Sequence, residues 1–163
     1  MNYGIINKFD VINGNGIRVS LFVSGCHNNC KGCFNKQSQD FNYGKKFTTE
    51  TQREILLALT PIYITGISIL GGEPLEPENI STVYNLCKEI KEKFPTKDIW
   101  LYTGYTFENI SSYLIMKYID VLVDGKYIEE QKDLTLKWRG SKNQRVIDVK
   151  ESLKQNKVVL YCD

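Results

Sequence analysis

The chain has 163 residues, 42% of them apolar and 25% charged, with a net charge of +2. That length suits a single domain, residues 1–163, with a core large enough to stand without disulfide staples. The near-neutral charge makes no case for nucleic acid or a membrane as partner, no apolar run approaches a membrane span, and the start MNYGIINKFD lacks the pattern of an export signal, so a cytoplasmic location is expected.

Met1 to Asp10 is predicted as a leading strand or arm, with Tyr3, Ile5, Ile6 and Phe9 as its apolar residues. Gly14-Asn15-Gly16 turns the chain. Ile17 to Val23 reads as a buried strand, rich in β-branched and aromatic residues. The stretch Ser24 to Asn35, SGCHNNCKGCFN, leaves the end of that strand, which is where ligands gather in α/β proteins. It carries Cys26, Cys30 and Cys33, three of the five cysteines, within eight residues. Packing asks for no such crowding, whereas a soft metal centre needs several thiolates. Three protein ligands leave a position open for chemistry, where structural sites usually close with four. An iron–sulfur cluster with one iron free is favoured, because clusters are held by closely spaced thiolates. A zinc ion completed by His27 or a distant cysteine is the bland alternative, although His27 adjoins Cys26 and neighbouring side chains rarely point at one ion. A disulfide framework fits an odd count of five cysteines poorly.

Phe34 to Phe47 is polar and predicted irregular. Thr48 and Thr49, followed by Gln52, suit the N-cap and capping-box partner of a helix with Ile55, Leu56 and Leu59 on its apolar face, ending before Pro61. The second core strand is predicted from Gly66 to Leu70. Gly71-Gly72-Glu73-Pro74 follows it, either as a tight turn or as backbone that approaches a ligand closely. Pro77 and Glu78 suit the first turn of a helix in which Ile80, Val83, Cys87, Ile90 and Phe94 make one stripe, so Cys87 reads as a core thiol. Ile99 to Thr103 is a third strand, Thr106 caps a helix from Glu108 to about Tyr118, and Val121 to Val123 is a fourth strand. Asp124-Gly125-Lys126 is either a solvated turn or a carboxylate and an ammonium turned to a ligand. Lys126 to Lys137 is charge-rich, as a solvated face would be. Trp138 to Asp148 mixes an aromatic, arginines and amides, and either closes a site or meets a partner. Lys157 to Tyr161 is predicted as a final strand, and Cys162 lies in it or at a frayed end.

Strands alternating with helices predict an α/β protein with a parallel sheet. A closed eightfold barrel takes typically ~250 residues. A partial, open β/α barrel of parallel strands is therefore expected, shorter than a full TIM barrel, and its missing wall suits a macromolecular substrate.

The Cys-x3-Cys-x2-Cys spacing resembles that of the radical S-adenosylmethionine (SAM) enzymes, and Gly71 to Pro74 matches their Gly-Gly-Glu-Pro motif. Gly32 stands where the commonest version of the cysteine motif has an aromatic residue, and Phe34 follows the last cysteine instead. That departure, Asp120-Val-Leu-Val-Asp-Gly and Arg139-Gly-Ser-Lys-Asn-Gln-Arg are similar to the activating enzymes of anaerobic (class III) ribonucleotide reductases, over nearly the whole chain. The resemblance implies a radical SAM type of barrel, with Cys26, Cys30 and Cys33 holding a [4Fe-4S] cluster whose fourth iron takes SAM. It implies that Gly71, Gly72, Glu73 and Pro74 hold the SAM amino group. It likewise puts Gly32, Cys33, Phe34, Thr103 and Asp124 beside the cofactor and Lys126 on the methionyl carboxylate. The implied activity is reductive cleavage of SAM and formation of a glycyl radical on the large subunit of anaerobic ribonucleoside-triphosphate reductase, with electrons from a low-potential donor such as flavodoxin. No acid–base residue is called for, in keeping with the single histidine. A radical SAM enzyme with another target and a non-catalytic metal-binding module are the alternatives.

Overall fold

The structure is a computed structural model and describes residues 1–162. In chain order its strands are β1 (Asn2–Asp10), β2 (Ile17–Val23), β3 (Lys45–Lys46), β4 (Ile64–Gly71), β5 (Asp98–Tyr102), β6 (Val121–Asp124) and β7 (Arg145–Asp148). Its α-helices are α1 (Thr49–Ala58), α2 (Ile80–Lys93), α3 (Phe107–Ile110) and α4 (Val149–Gln155). The strands make one open sheet in the order β3-β1-β2-β4-β5-β6-β7.

The centre, β2-β4-β5-β6, is parallel. Both flanks are antiparallel: β1 and β3 on one side, β7 on the other. The sheet is therefore mixed, and connection length explains the first flank. Only Val11 to Gly16 joins β1 to β2, and a parallel crossover takes a dozen residues or more.

Alternation along the strands sorts side chains between two faces. Val19, Leu21, Ile67, Ile69, Ile99, Leu101, Leu122 and Ile147 pack with Ile55, Val83, Leu86, Cys87, Ile90 and Ile110 into the main core. On the opposite face Trp100, Val121, Val123 and Val146 form a second cluster, with Tyr102 and Trp138 packed against it. Arg18 and Ser68 are also fully buried, and the Arg18 Nε donates to Ser68 Oγ at 2.8 Å.

Four local expectations need correction. The capping-box partner of Thr48 is Thr51, not Gln52, because the N-cap is Thr48 and the reciprocal bond comes from the third helical residue. α2 starts at Ile80; Pro77 and Glu78 precede it, in a turn where the Glu76 carbonyl accepts from Asn79 and Ile80. The helix expected from Glu108 to Tyr118 breaks into α3 and a 3-10 turn, Leu114–Tyr118, with Tyr113 extended between them. Ser111 and Ser112 at the break compete with helical backbone through their hydroxyls. Lys157 to Tyr161 makes a single bridge, Leu160 to Ile147, instead of a strand.

Candidate metal and cofactor site

The parallel register pairs Val23, the last residue of β2, with Gly71, the last residue of β4. The cysteine loop and the Gly-Gly-Glu-Pro turn therefore leave the sheet side by side. Backbone bonds join them: Gly72 N–H donates to Val23 at 2.7 Å and Glu73 N–H to Gly25 at 2.8 Å. The buried Asn79 amide spans both, donating to the carbonyls of Ser24 at 3.0 Å and Glu73 at 2.9 Å. Close approach requires glycine here, since a Cβ on Gly72 would stand 2.6 Å from the Gly25 carbonyl oxygen and 2.7 Å from that of Ser38.

Cys26, Cys30 and Cys33 line one cavity of about 440 Å³. Phe34, Gly71, Gly72, Glu73, Thr103 and Lys126 share its wall. Glu73 is 1% exposed. Its Oε1 accepts from Thr103 Oγ1 at 2.8 Å and Leu75 N–H at 3.1 Å. Its Oε2 accepts from Gly104 N–H at 2.7 Å and the Asn28 amide at 3.3 Å. Burial pushes the Glu73 carboxyl above the usual range, while the Gly104, Leu75 and Thr103 donors oppose that shift. The result is a fixed acceptor, presented beside three thiols and suited to a cationic donor.

Three of the expected cofactor residues lie off that wall. Gly32 has a positive φ of 70°, and its missing side chain leaves room for the Glu129 carboxylate. Pro74 is buried and does not line the cavity. Asp124 points to the helix side, because alternation along β6 turns Val123 to the opposite face. Its carboxylate accepts from Phe107 N–H at 2.8 Å and from Arg145 at 2.5 and 3.0 Å. Asp124 thus anchors α3 and β7 instead of facing the cysteines.

All five cysteines are free thiols. Burial is the largest influence on Cys26 and pushes its thiol up, against the Asn28 N–H 3.4 Å from its sulfur. His27 is committed elsewhere: its Nδ1 lies 3.0 Å from Glu76 Oε2, and its backbone N–H donates to Oε1 at 2.8 Å. His27 is also absent from the wall of the cavity that the three cysteines line. Among the described residues no three His, Cys, Asp or Glu side chains converge closely enough for one metal ion. The three thiols instead lie spread along one cavity wall. A [4Fe-4S] cluster fits this donor set, since it binds each thiolate through a separate iron.

The His27–Glu76 clamp and the Asn28 bond to Glu73 join residues 49 and 45 positions apart, and no local pattern signals them. Arg139, in the stretch expected to close a site or meet a partner, lines the same cavity.

The site has the thiols of an iron–sulfur protein, and the 4Fe-4S single cluster domain family matches residues 12–147, which places the chain in that class. The chain is 46% identical over 148 residues to the anaerobic ribonucleoside-triphosphate reductase-activating protein of Enterobacteria phage T4, covering 90% of this chain and 93% of the relative. The proteins of that name from Vibrio cholerae and Escherichia coli K12 are 47% and 43% identical, over 88% and 90% of this chain and 96% and 97% of theirs. The chain belongs to the family of anaerobic ribonucleoside-triphosphate reductase-activating proteins.

Proposed function

We propose that the protein is a radical SAM activase, built on a partial β/α barrel, that makes a glycyl radical on anaerobic ribonucleoside-triphosphate reductase. The observation that carries this reading is the Glu73 carboxylate, held by four donors in the cavity that the three cysteines line. When bound, the [4Fe-4S] cluster and SAM supply one-electron cleavage of the sulfonium and the hydrogen-abstracting power that the reductase glycine meets.

Cys26, Cys30 and Cys33 are the cluster thiolates. Glu73 accepts from the SAM amino group, and Thr103 and Gly104 N–H hold the carboxylate for that contact. Lys126 lines the same cavity and presents an ammonium to the methionyl carboxylate. At the mouth Phe34 packs on Tyr127, ring centroids 5.1 Å apart, and limits water beside Cys33. A low-potential donor such as flavodoxin supplies the electron, and the cytoplasm is the compartment that keeps the thiols reduced.

Anaerobic reconstitution tests the reading. It predicts iron and sulfide amounting to one [4Fe-4S] cluster per chain, and dithionite-dependent release of methionine and 5′-deoxyadenosine from SAM. One zinc and no sulfide, or a full cluster without SAM cleavage, contradicts it.

A further inference from the structure

We propose that the inner end of this cavity seats the glycine-bearing loop of the reductase, and that Tyr102 and Arg139 hydrogen-bond the backbone of that loop. The proposal rests on the activase reading above. Phe22, Leu70 and Tyr102 carry the cavity down from the strand ends onto the sheet face opposite the helices, and the segment Asp133 to Gly140 walls it. Two polar atoms of the wall, Tyr102 Oη and Arg139 Nε, are buried without a hydrogen-bond partner. Buried donors are normally satisfied, so an unpaired couple lining one cavity points to an occupant that brings acceptors.

The chemistry of the pair narrows that occupant. Arginine offers donors only. Burial pushes the Tyr102 phenol far above its ordinary range, so its hydroxyl stays protonated and can donate as well. Asp133, the acid on this wall, accepts from Thr135 and lies 3.8 Å from Lys142. Arg139 forms no ion pair among the described residues. A peptide carbonyl is a neutral acceptor that meets both donors.

The rim favours a protein segment. Ile12 from the β1–β2 turn, at the end of the sheet away from the cysteine loop, and Leu134 from the Asp133–Gly140 wall are 75% and 80% exposed, and both line the cavity. Such side chains suit an apolar loop more than a charged small molecule. The seat also adjoins the metal site. A Cβ on Gly140 would lie 3.0 Å from the Phe34 ring, so Arg139 is held one residue from the neighbour of Cys33. Trp138, packed edge-on against Trp100 at 5.0 Å, fixes the other side of Arg139. A glycine suits the approach, because it brings no side chain between its Cα and the reacting group.

Tyr102→Phe and Arg139→Gln in the reconstituted protein test the assignment. Tyr102→Phe deletes one oxygen that has no protein partner, so its folding is not at issue. The measurements are dissociation constants for SAM and for a synthetic peptide carrying the reductase glycine loop. The expected result is peptide binding weakened about tenfold in each variant, with SAM binding within about twofold of wild type. Weakened SAM binding with unchanged peptide binding would show that the pair serves the cofactor, and no change in either would also overturn the seat. Wild-type protein that makes no glycyl radical on the intact reductase sinks the activase reading itself. A wild type that does, alongside variants that bind peptide normally, sinks the seat alone.

Discussion

Replacing Glu73 by glutamine isolates the carboxylate proposed to capture the SAM amino group. The wild-type carboxylate accepts from Thr103 and Leu75 through one oxygen and from Gly104 and Asn28 through the other. An amide keeps only one of those oxygens. If it retains Thr103 and Leu75, its NH2 faces the Gly104 N–H and the Asn28 amide, and buried donors are left unpaired. Each unpaired buried donor costs about 1–3 kcal/mol. Against that, the neutral side chain escapes the burial that pushes the Glu73 carboxyl up. A net fold cost of about 1–2 kcal/mol follows, readable as a lower urea midpoint of the apoprotein. Binding suffers more. Losing a charge-assisted hydrogen bond to an ammonium removes about 1.5–3 kcal/mol, or roughly a 10- to 150-fold rise in the SAM dissociation constant. Anaerobic equilibrium dialysis on reconstituted protein measures it, with iron content as the control. A fully loaded variant that binds SAM within about twofold of wild type would refute the role given to Glu73.

Other outcomes follow from the same geometry. Gly72→Ala puts a methyl group against the Gly25 and Ser38 carbonyls, so reconstitution should yield a much lower iron content, and normal loading would contradict the coupling of the two loops. Glu108, paired with Arg145, has its carboxyl lowered to about 2. The stability it contributes is therefore present above the unfolded carboxyl range near 4.5 and is lost as pH falls toward 2. Glu108 is largely exposed, so Glu108→Gln should cost no more than about 1 kcal/mol at pH 7, and thermal melts of the two proteins should converge as pH falls through that window. Cys87 is fully buried and its thiol is pushed up to about 12, mainly by burial. It should resist iodoacetamide in the native protein at pH 8 and react on unfolding; ready native labelling would contradict its place in the core.

Local patterns and long-range contacts divide what the sequence reveals. The four central strands are short apolar runs ended by glycine or turn residues, and the two ligand loops sit at strand ends, so both were readable residue by residue. Cys87 likewise announced its burial through helical spacing. The antiparallel pairing of β1 with β2 follows from the short link Val11 to Gly16, whereas the longer connections to β3 and β7 leave their pairing and direction open. Asp124 looked available for a ligand because nothing nearby in the chain claims it; Arg145, 21 residues on, does. Arg18 lies in the apolar run Ile17 to Val23 and is fully buried over Trp100, 5.2 Å from the ring centroid, with Asp98 2.6 Å away. Burying that charge depends on Asp98, 80 positions along the chain, which no periodicity encodes. Tyr102 and Arg139 are the same case: each becomes conspicuous only when the sheet face and the wall over it enclose one cavity.

Radical transfer to a glycine of the partner reductase is the central step of the proposed function. Electron paramagnetic resonance on the reconstituted protein, reduced anaerobically with SAM and the anaerobic reductase, addresses it directly. The prediction is a glycyl doublet that requires all three components and disappears with Cys30→Ala, which also loses the cluster. A cluster-loaded, SAM-bound protein that yields no doublet, or a doublet that survives Cys30→Ala, contradicts it.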